Sequence, residues 1–432
     1  MALRENVFRP EVRDIEKPAD LVVIGGGMVG PSIAHFAQEK LGSKSRVVVL
    51  EANQGLAMGA SSASLEQGRI GWPDETVCRM MMMSREFFQR PQDFGINMSS
   101  SQLGFTERPY LWAASKGSEI KTYQNLTRVL KSRGVDASYL DRQAIIAEYP
   151  WLKDTSVTGG MLDTSGFKID SQQLARAFAQ ASGRTDFFVQ TKGLKIVVSS
   201  GKVIGVNTSR GFIPTEIVIV AAGAGTRGLI ETVDGLSIPI VSIPRFSVSS
   251  RGRDPSLSIS NPFIIVPKTY AYWRPDGAGI LGGYSHEIPP IDRPENTLPD
   301  IDPSYRKNFL TAVWKGLNPD RLDNPEDAKY DTLGLLASVY SYSGPYSKGS
   351  TLGGFYVHRA EALGDDRPII TTFKDQGMPD IGVVTAEQGH GVMGALPSGV
   401  DGAEIIIGGS SDPKYDNFSI NPPASQGISL TI

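Results

Sequence analysis

The stretch "LVVIGGGMVGPSIAHFAQE", residues 21–39, decides the fold. Gly25, Gly27 and Gly30 stand as G-x-G-x-x-G directly after the apolar run Leu21–Ile24. A strand must turn sharply into a helix there, and glycine removes the Cβ that would keep an anion away from the backbone. The helix is predicted from Val29 to about Lys40, with Ile33, Phe36 and Ala37 on its apolar side. Met28 and Val29 stand at its entrance, where unpaired N–H groups and the helix dipole favour a phosphate. A second apolar run, "RVVVL" at 46–50, reads as a strand that a parallel sheet buries on both faces. It ends in Glu51, 26 residues after Gly25, where a carboxylate meets the ribose hydroxyls of an adenosine. Glycines, helix and acid in register predict a dinucleotide site.

Composition narrows what such a site can serve. A chain of 432 residues is long enough for two or three domains with a sizeable core. Its net charge of -3, with no basic run, gives no electrostatic case for nucleic acid or an anionic membrane. Cys78 is the only cysteine, so no intramolecular disulfide and no cysteine zinc cluster can form. The four histidines (His35, His286, His358 and His390) lack metal-ligand spacing, and no metal is expected. No apolar segment approaches the length of a bilayer span. The first residues mix acids with bases and lack the apolar core of a secretory signal. The expected location is cytoplasmic, with a mitochondrial or peroxisomal one left open, and an oligomer is possible.

Further along the chain, "GLAMGASSASLEQGRIGWP" (55–73) is a loop of small residues where a plain nicotinamide-binding fold would continue into a helix. Cys78 to about Gln89 reads as a helix whose four methionines, Met80–Met83, are mostly core filler. A strand in "RPYLWAA", a helix over 119–131 and a short helix capped by Asp141 follow. Residues 187–222 read as strands throughout, and 236–285 as antiparallel strands. The clearest hairpin there pairs 269–274 with 278–283 around Pro275-Asp276-Gly277. A helix is expected at 305–317 and a long Ser/Tyr/Gly-rich loop at 330–352. A strand at 381–386, a glycine loop "EQGHGVMGALPSG" and a helix near 400–407 close the pattern, before a loosely ordered tail.

Four segments in this order resemble the D-amino-acid oxidase superfamily of FAD enzymes, near glycine and sarcosine oxidases and dimethylglycine dehydrogenase. They are "VVIGGGMVGPSIAHF…VVVLE" (22–51), "GASSASLEQGRIG" (59–71), "EIVIVAAGAGTRGL" (216–229) and "EQGHGVMGALPSGVDGAEII" (387–406). The resemblance implies an α/β (α+β overall) chain, a Rossmann-like FAD-binding domain interleaved with an antiparallel-sheet substrate domain. The FAD domain is expected from 18–98, 156–240 and 353–410, the substrate domain from 99–155 and 241–352, and a tail from 411–432. The implied cofactor contacts, besides Gly25, Gly27, Met28, Val29, Gly30 and Glu51, are Ser61, Ser62, Gln67 and Gly68 of the small-residue loop. Val189, Ala222 and Gly223 fall on the adenosine half, and Gly389, Gly391, Val392 and Met393 on the flavin half. Gly394 completes that second glycine loop, whose N–H groups would stabilise negative charge on a reduced ring. Relatives that link FAD through histidine carry it in the segment matching 59–71, which here has none, and Cys78 is not near the C-terminus. FAD is therefore expected to be non-covalent.

The resemblance also implies oxidation of the C–N bond of an amino acid or a secondary or N-methylated amine, by hydride transfer to flavin N5 and imine hydrolysis. A carboxylate substrate calls for an arginine fork, commonly with a tyrosine hydroxyl. Tyr272 and Arg274 alternate along one predicted strand and share a face. Tyr356 and Arg359 occupy the place where amino-acid oxidases often put the carboxylate-binding arginine, and His390 lies inside the glycine loop as a base. Two other functions stay open: an FAD-binding assembly protein with little turnover, and a nicotinamide-dependent dehydrogenase.

Overall fold

The computed structural model describes residues 15–249, 257–266, 269, 271–277, 279–284, 290, 305–317, 351–360, 365–409 and 412–423. The strands Leu21–Ile24 and Val47–Leu50 pair in parallel, Val22 opposite Val48, and every residue of both is buried. Val218–Val220 lies on the other side of Leu21–Ile24, also parallel, so the turn after Ile24 emerges at the middle of the sheet. The six-stranded sheet is completed by Asp186–Phe188 at one edge and by Met378–Thr385 and Ile369–Phe373 at the other. Its only antiparallel pair is that last one. This is the Rossmann-like layer, and strands buried on both faces explain its runs of Val and Ile.

The helix Val29–Leu41 starts at the expected place and packs across the helix Ala395–Gly402. A Cβ at Gly399 would overlap the Ser32 hydroxyl, so glycine sets how closely these two helices approach. Their contact brings two glycine loops that lie more than 350 residues apart in sequence to one end of the sheet. The C-terminal helix begins five residues earlier than expected, at Ala395, and continues from Ala403 to Ile407 as a wide π turn.

An eight-stranded sheet forms the second layer, in the order Thr351–Arg359, Ile240–Ser249, Gly279–Tyr284, Ala271–Asp276, Phe263–Val266, Tyr110–Ala114, Gly159–Asp163, Ala137–Asp141. It is antiparallel except where Phe263–Val266 meets Tyr110–Ala114. The chain is therefore a mixed α/β fold. Gly159–Asp163 and Thr351–Arg359 belong to this sheet although both flank segments of the other. The expected hairpin turn lies further on: Pro275 and Asp276 stay in the strand, paired with Ile280 and Gly279. Pro275 fits because it stands one residue from the strand's end, where its missing N–H costs little. The helices Gly117–Ser132, Arg142–Glu148 and Tyr305–Leu317 stand where expected, the second capped by Asp141, whose carboxylate accepts from Ala144 N at 2.9 Å. Of the expected loop at 330–352, residues up to 350 lie outside the described residues; 351 and 352 begin a strand.

The tail departs from expectation. Residues Pro413–Phe418 form a 3₁₀ turn, Phe418 is buried against the core, and Asn417 accepts a hydrogen bond from Arg367. Asp401, on the C-terminal helix, faces Lys414 of this turn and Glu404, and burial raises its carboxyl to about 7. A raised folded-state value means that the stability it contributes is full below about pH 4 and is lost as pH climbs through 7. Asp401→Asn is thus expected to stabilise the protein at pH 8, by roughly 1 kcal/mol, and to leave it unchanged at pH 4. Thermal melts at the two pH values check this, and equal shifts at both would refute it.

Candidate functional site

The first glycine loop is built by exclusion. Gly25 has φ +125°, and a Cβ on it would overlap the Ala221 carbonyl oxygen of the neighbouring strand. A Cβ on Gly30 would overlap the Gly25 carbonyl, so the third glycine lets the helix start against the turn. Gly27 differs: its Cβ would meet only the Ser61 hydroxyl, at 3.6 Å. That open side faces the start of a helix with no acid in its first turn, and Met28 beneath it is buried. The arrangement suits a pyrophosphate.

Glu51 is buried at the end of its strand; its Oε2 accepts from Gly26 N at 2.8 Å and its Oε1 from Asn53 N at 2.6 Å and Asn53 Nδ2 at 2.7 Å. One carboxylate thus ties the glycine turn to the next strand and keeps lone pairs for a diol. Glu51→Gln is expected to weaken FAD binding roughly tenfold or more, because a charge-assisted acceptor is replaced by a neutral one. Titration of the apoprotein with FAD, followed by flavin fluorescence, measures it. Val189 lies buried just past the edge strand, and Gln190 N donates to Asn53 O at 2.8 Å, so the adenosine-side segments are tied together. Ala222 and Gly223 (φ +53°) turn the chain away after Val220.

The small-residue loop runs from Gly59 to Gly68 and joins the two layers. Ser61 faces Gly27, whereas the Ser62 hydroxyl donates to Gly59 O at 3.0 Å. Gln67 and Gly68 form a short strand on Phe167–Lys168, with the Phe167 ring packed where a Gly68 side chain would stand. The Gln67 amide donates to Arg108 O at 3.3 Å, leaving its Oε1 buried without a partner. That orphaned acceptor is the kind of group a ring N–H of a bound flavin satisfies.

The second glycine loop follows the strand Met378–Thr385. Ala386, Gln388 and Gly389 all have positive φ, a tight reversal that sets Gly389 against the Tyr356 ring. Gly391 and Gly394 lie over the Glu387 side chain, whose Oε1 accepts from Ser398 Oγ at 2.7 Å. Met393 is buried, Val392 is partly buried in the same core, and Met81 reaches Gly394. His390 is not placed as a base. It is fully buried, its Nε2 donates to Asp366 O at 2.7 Å, and its Nδ1 faces Glu387 Oε2 at 3.5 Å. It fastens the loop to the segment beside Arg367. Gly394 N is also spent inside the loop, donating to His390 O at 2.7 Å.

Arginine and aromatic side chains fill the space between the layers. Arg274 turns back on its own strand, ion-paired with Asp276 and donating to Leu65 O at 3.4 Å, so it braces the small-residue loop instead of offering a free fork. Arg359 pairs through its backbone with Ile240, and its side chain lies outside the described residues. Tyr272 and Tyr356 do meet: their hydroxyls hydrogen-bond, and both line a small pocket, partly open to solvent, with Ala63, Leu65, Arg245 and Ser247. Burial holds both phenols above their ordinary range. His358 Nδ1 donates to Gln388 Oε1 at 3.1 Å, and burial followed by Arg245 lowers its pKa to about 4, so its ring is neutral at physiological pH.

Arg69 was not singled out by its sequence. It is buried, with its guanidinium 3.9 Å from the Trp72 ring centroid, 5.0 Å from Trp112 and 5.9 Å from Tyr110. Among the described residues no carboxylate lies within ion-pair distance of it, and burial pulls its pKa down. Cation–π contact returns on the order of 2 kcal/mol, less than the several kcal/mol that desolvating a guanidinium costs. Asp163 fixes its segment instead: fully buried, it accepts from Gly71 N at 2.9 Å and from both Ser165 N and its hydroxyl. Arg69 N in turn meets Met393 Sδ at 3.4 Å, which puts this arginine beside the second glycine loop. The sequence signal was an arginine inside an apolar, glycine-flanked run, "GRIGW".

Among the described residues no helix is long and apolar enough to cross a membrane, and no three His, Cys, Asp or Glu side chains group as metal ligands.

Comparison with known proteins fits this arrangement. The mitochondrial pyruvate dehydrogenase phosphatase regulatory subunit of Mus musculus is 24% identical over 297 residues, 67% of this chain and 33% of that protein. Sarcosine oxidase subunit beta of Rhizobium meliloti is 27% identical over 244 residues, 55% of this chain and 56% of that one. The chain thus spans between a third and somewhat over half the length of these curated relatives. L-proline dehydrogenase from P. horikoshii shares the fold, with a TM-score of 0.74, 21% identity, and coverage of 94% of this chain and 97% of that one. Glycine oxidase from Geobacillus kaustophilus does so with a TM-score of 0.73 at 16% identity, covering 95% and 100%. Residues 20–405 match the FAD dependent oxidoreductase (DAO) family from the first glycine turn to the end of the second, and the chain belongs to that family.

Proposed function

We propose that this protein oxidises the C–N bond of an amino acid or an N-methylated amino acid, using non-covalently held FAD. The observation that carries the reading is Arg69, a buried guanidinium with no carboxylate partner among the described residues, set between the second glycine loop and an aromatic wall. FAD, when bound, would supply the acceptor for a hydride (one proton with two electrons) from the carbon next to the substrate nitrogen, which with loss of a proton from nitrogen leaves an imine for hydrolysis, the electron pair going on to O2 or another acceptor.

The chain's own residues bind, orient and exclude water. Gly25, Gly27 and Gly30 with Glu51 would hold the adenosine diphosphate half. Gln67 and the loop from Gly389 to Met393 would hold the ring. Arg69 takes the substrate carboxylate as a two-point fork, which fixes the reacting carbon by orientation and needs no acid catalyst. Trp72, Tyr110 and Trp112 keep that fork out of water and so strengthen it. Tyr356, packed on Gly389, joins the glycine loop to the substrate pocket.

Anaerobic addition of a panel of amino acids and N-methyl amines tests the proposal: at least one should bleach the flavin absorbance. If hydroxy acids reduce it and no amine does, the amine assignment fails. The mouse relative's name, a regulatory subunit, favours one second reading, an FAD-containing assembly protein. Its mark would be tightly bound FAD that no member of the panel reduces.

A further inference from the structure

A second cation without a carboxylate partner among the described residues stands near Arg69, both acting on Tyr356. Arg245 extends from the strand Ile240–Ser249 into the pocket beside Tyr356, 5.8 Å from the centroid of its ring. Its only hydrogen bond among the described residues is from Nη1 to the adjacent Pro244 O, at 3.2 Å. Its Nε is buried with no partner, and no described carboxylate is within ion-pair distance. The groups that face it are phenols and a neutral imidazole: Tyr272, Tyr356, Tyr305 and His358. Both guanidiniums act on one hydroxyl, since Arg245 and Arg69 each draw Tyr356 down against the upward pull of burial.

One α-carboxylate satisfies one planar fork. If Arg69 takes it, Arg245 remains a half-desolvated charge with a buried, unused donor, a costly thing to keep in a pocket. Beside Arg245 the pocket is lined by the apolar Ala63 and Leu65 and by the hydroxyls of Tyr272 and Ser247, though Ser247 already donates to Ala63 O at 3.2 Å, and Tyr356 stands within the electrostatic reach of both arginines. That lining suits a short methylene spacer ending in an acid. Resting on the amino-acid reading above, we propose that the substrate carries a second carboxylate, bound by Arg245 with the Tyr272–Tyr356 hydroxyl pair, so that the enzyme selects dicarboxylic amino acids or amines.

The test uses the FAD-loaded protein and unreactive ligands, read as perturbation of the flavin spectrum. Succinate and glutarate should bind about 10- to 100-fold more tightly than butyrate, the factor a charge-assisted hydrogen bond contributes. Arg245→Met should collapse that ratio to near one, and Arg245→Lys should restore part of it as a point charge. Arg69→Met should weaken monoacid and diacid alike, which separates the two arginines. Equal binding of monoacid and diacid by the wild-type protein overturns the proposal, and so does a ratio that survives in a folded, yellow Arg245→Met protein. If amines reduce the flavin with no preference for diacids, only this inference fails. If diacids bind tightly but no amine reduces the flavin, the oxidoreductase reading fails and this subsite stands.

Discussion

Gly30→Ala will yield a protein that retains no FAD and melts well below the wild type. The added Cβ would overlap the Gly25 carbonyl oxygen, and neither side of that contact can give way cheaply. Gly25 N already donates to Leu50 O at 2.8 Å, and Ala221 N to Ile24 O at 2.8 Å, so the turn is pinned from both flanking strands. The helix side is pinned where Ser32 packs on Gly399. Overpacking of this kind costs about 1–3 kcal/mol or more, and the strain falls on the N–H groups that must converge on phosphate. Gly27→Ala is the contrasting variant. Its Cβ meets only a hydroxyl at 3.6 Å, so the fold should survive while FAD affinity drops, because the methyl group occupies the open face. The ratio of flavin to protein absorbance and a thermal melt separate the two. A yellow Gly30→Ala protein with a wild-type melting point would refute the argument.

Arg69→Met will separate stability from substrate binding. Removing one partner of a desolvated, hydrogen-bonded charge pair costs 2–5 kcal/mol, so the Kd for a carboxylate substrate should rise on the order of 100-fold or more. Stability should move the other way or not at all. In the unliganded protein the guanidinium is buried without a carboxylate partner among the described residues, and a thioether of similar length fills the space on Trp72 without that burden. Asp163 is left satisfied by its own three donors, from Gly71 and Ser165, so no acceptor is orphaned. A loss of several degrees in melting temperature with unchanged substrate binding would mean that Arg69 serves the fold alone.

The positions of these two residues mark what could be read in the linear chain. Gly30 was legible because the glycine spacing, the helix and Glu51 are local features, each fixed by a steric or hydrogen-bonding demand within 31 residues. The Rossmann-like layer, the capped helix after Asp141 and the helix Tyr305–Leu317 follow from periodicity and capping for the same reason. The hairpin turn lies beyond the local signal because Pro275 favours a turn by itself, while the partner strand keeps it in register. The C-terminal segment carries no local signal of its order: Phe418 and Asn417 find their partners, the core and Arg367, only after the chain has folded.

Charge is where sequence and tertiary structure diverge most. By itself the chain specified a dinucleotide turn, its acidic partner and the two glycine loops, since each rests on what a backbone can do over a few residues. Which arginine is free was decided by long-range packing. Arg274, on an exposed-looking strand face, is held by Asp276 and Leu65, and His390, inside a glycine loop, is clamped to Asp366, whereas Arg69 and Arg245 have no carboxylate partner among the described residues. An ionic side chain's role depends on the groups that surround it after desolvation, and those come here from strands and loops up to about 300 residues away in sequence.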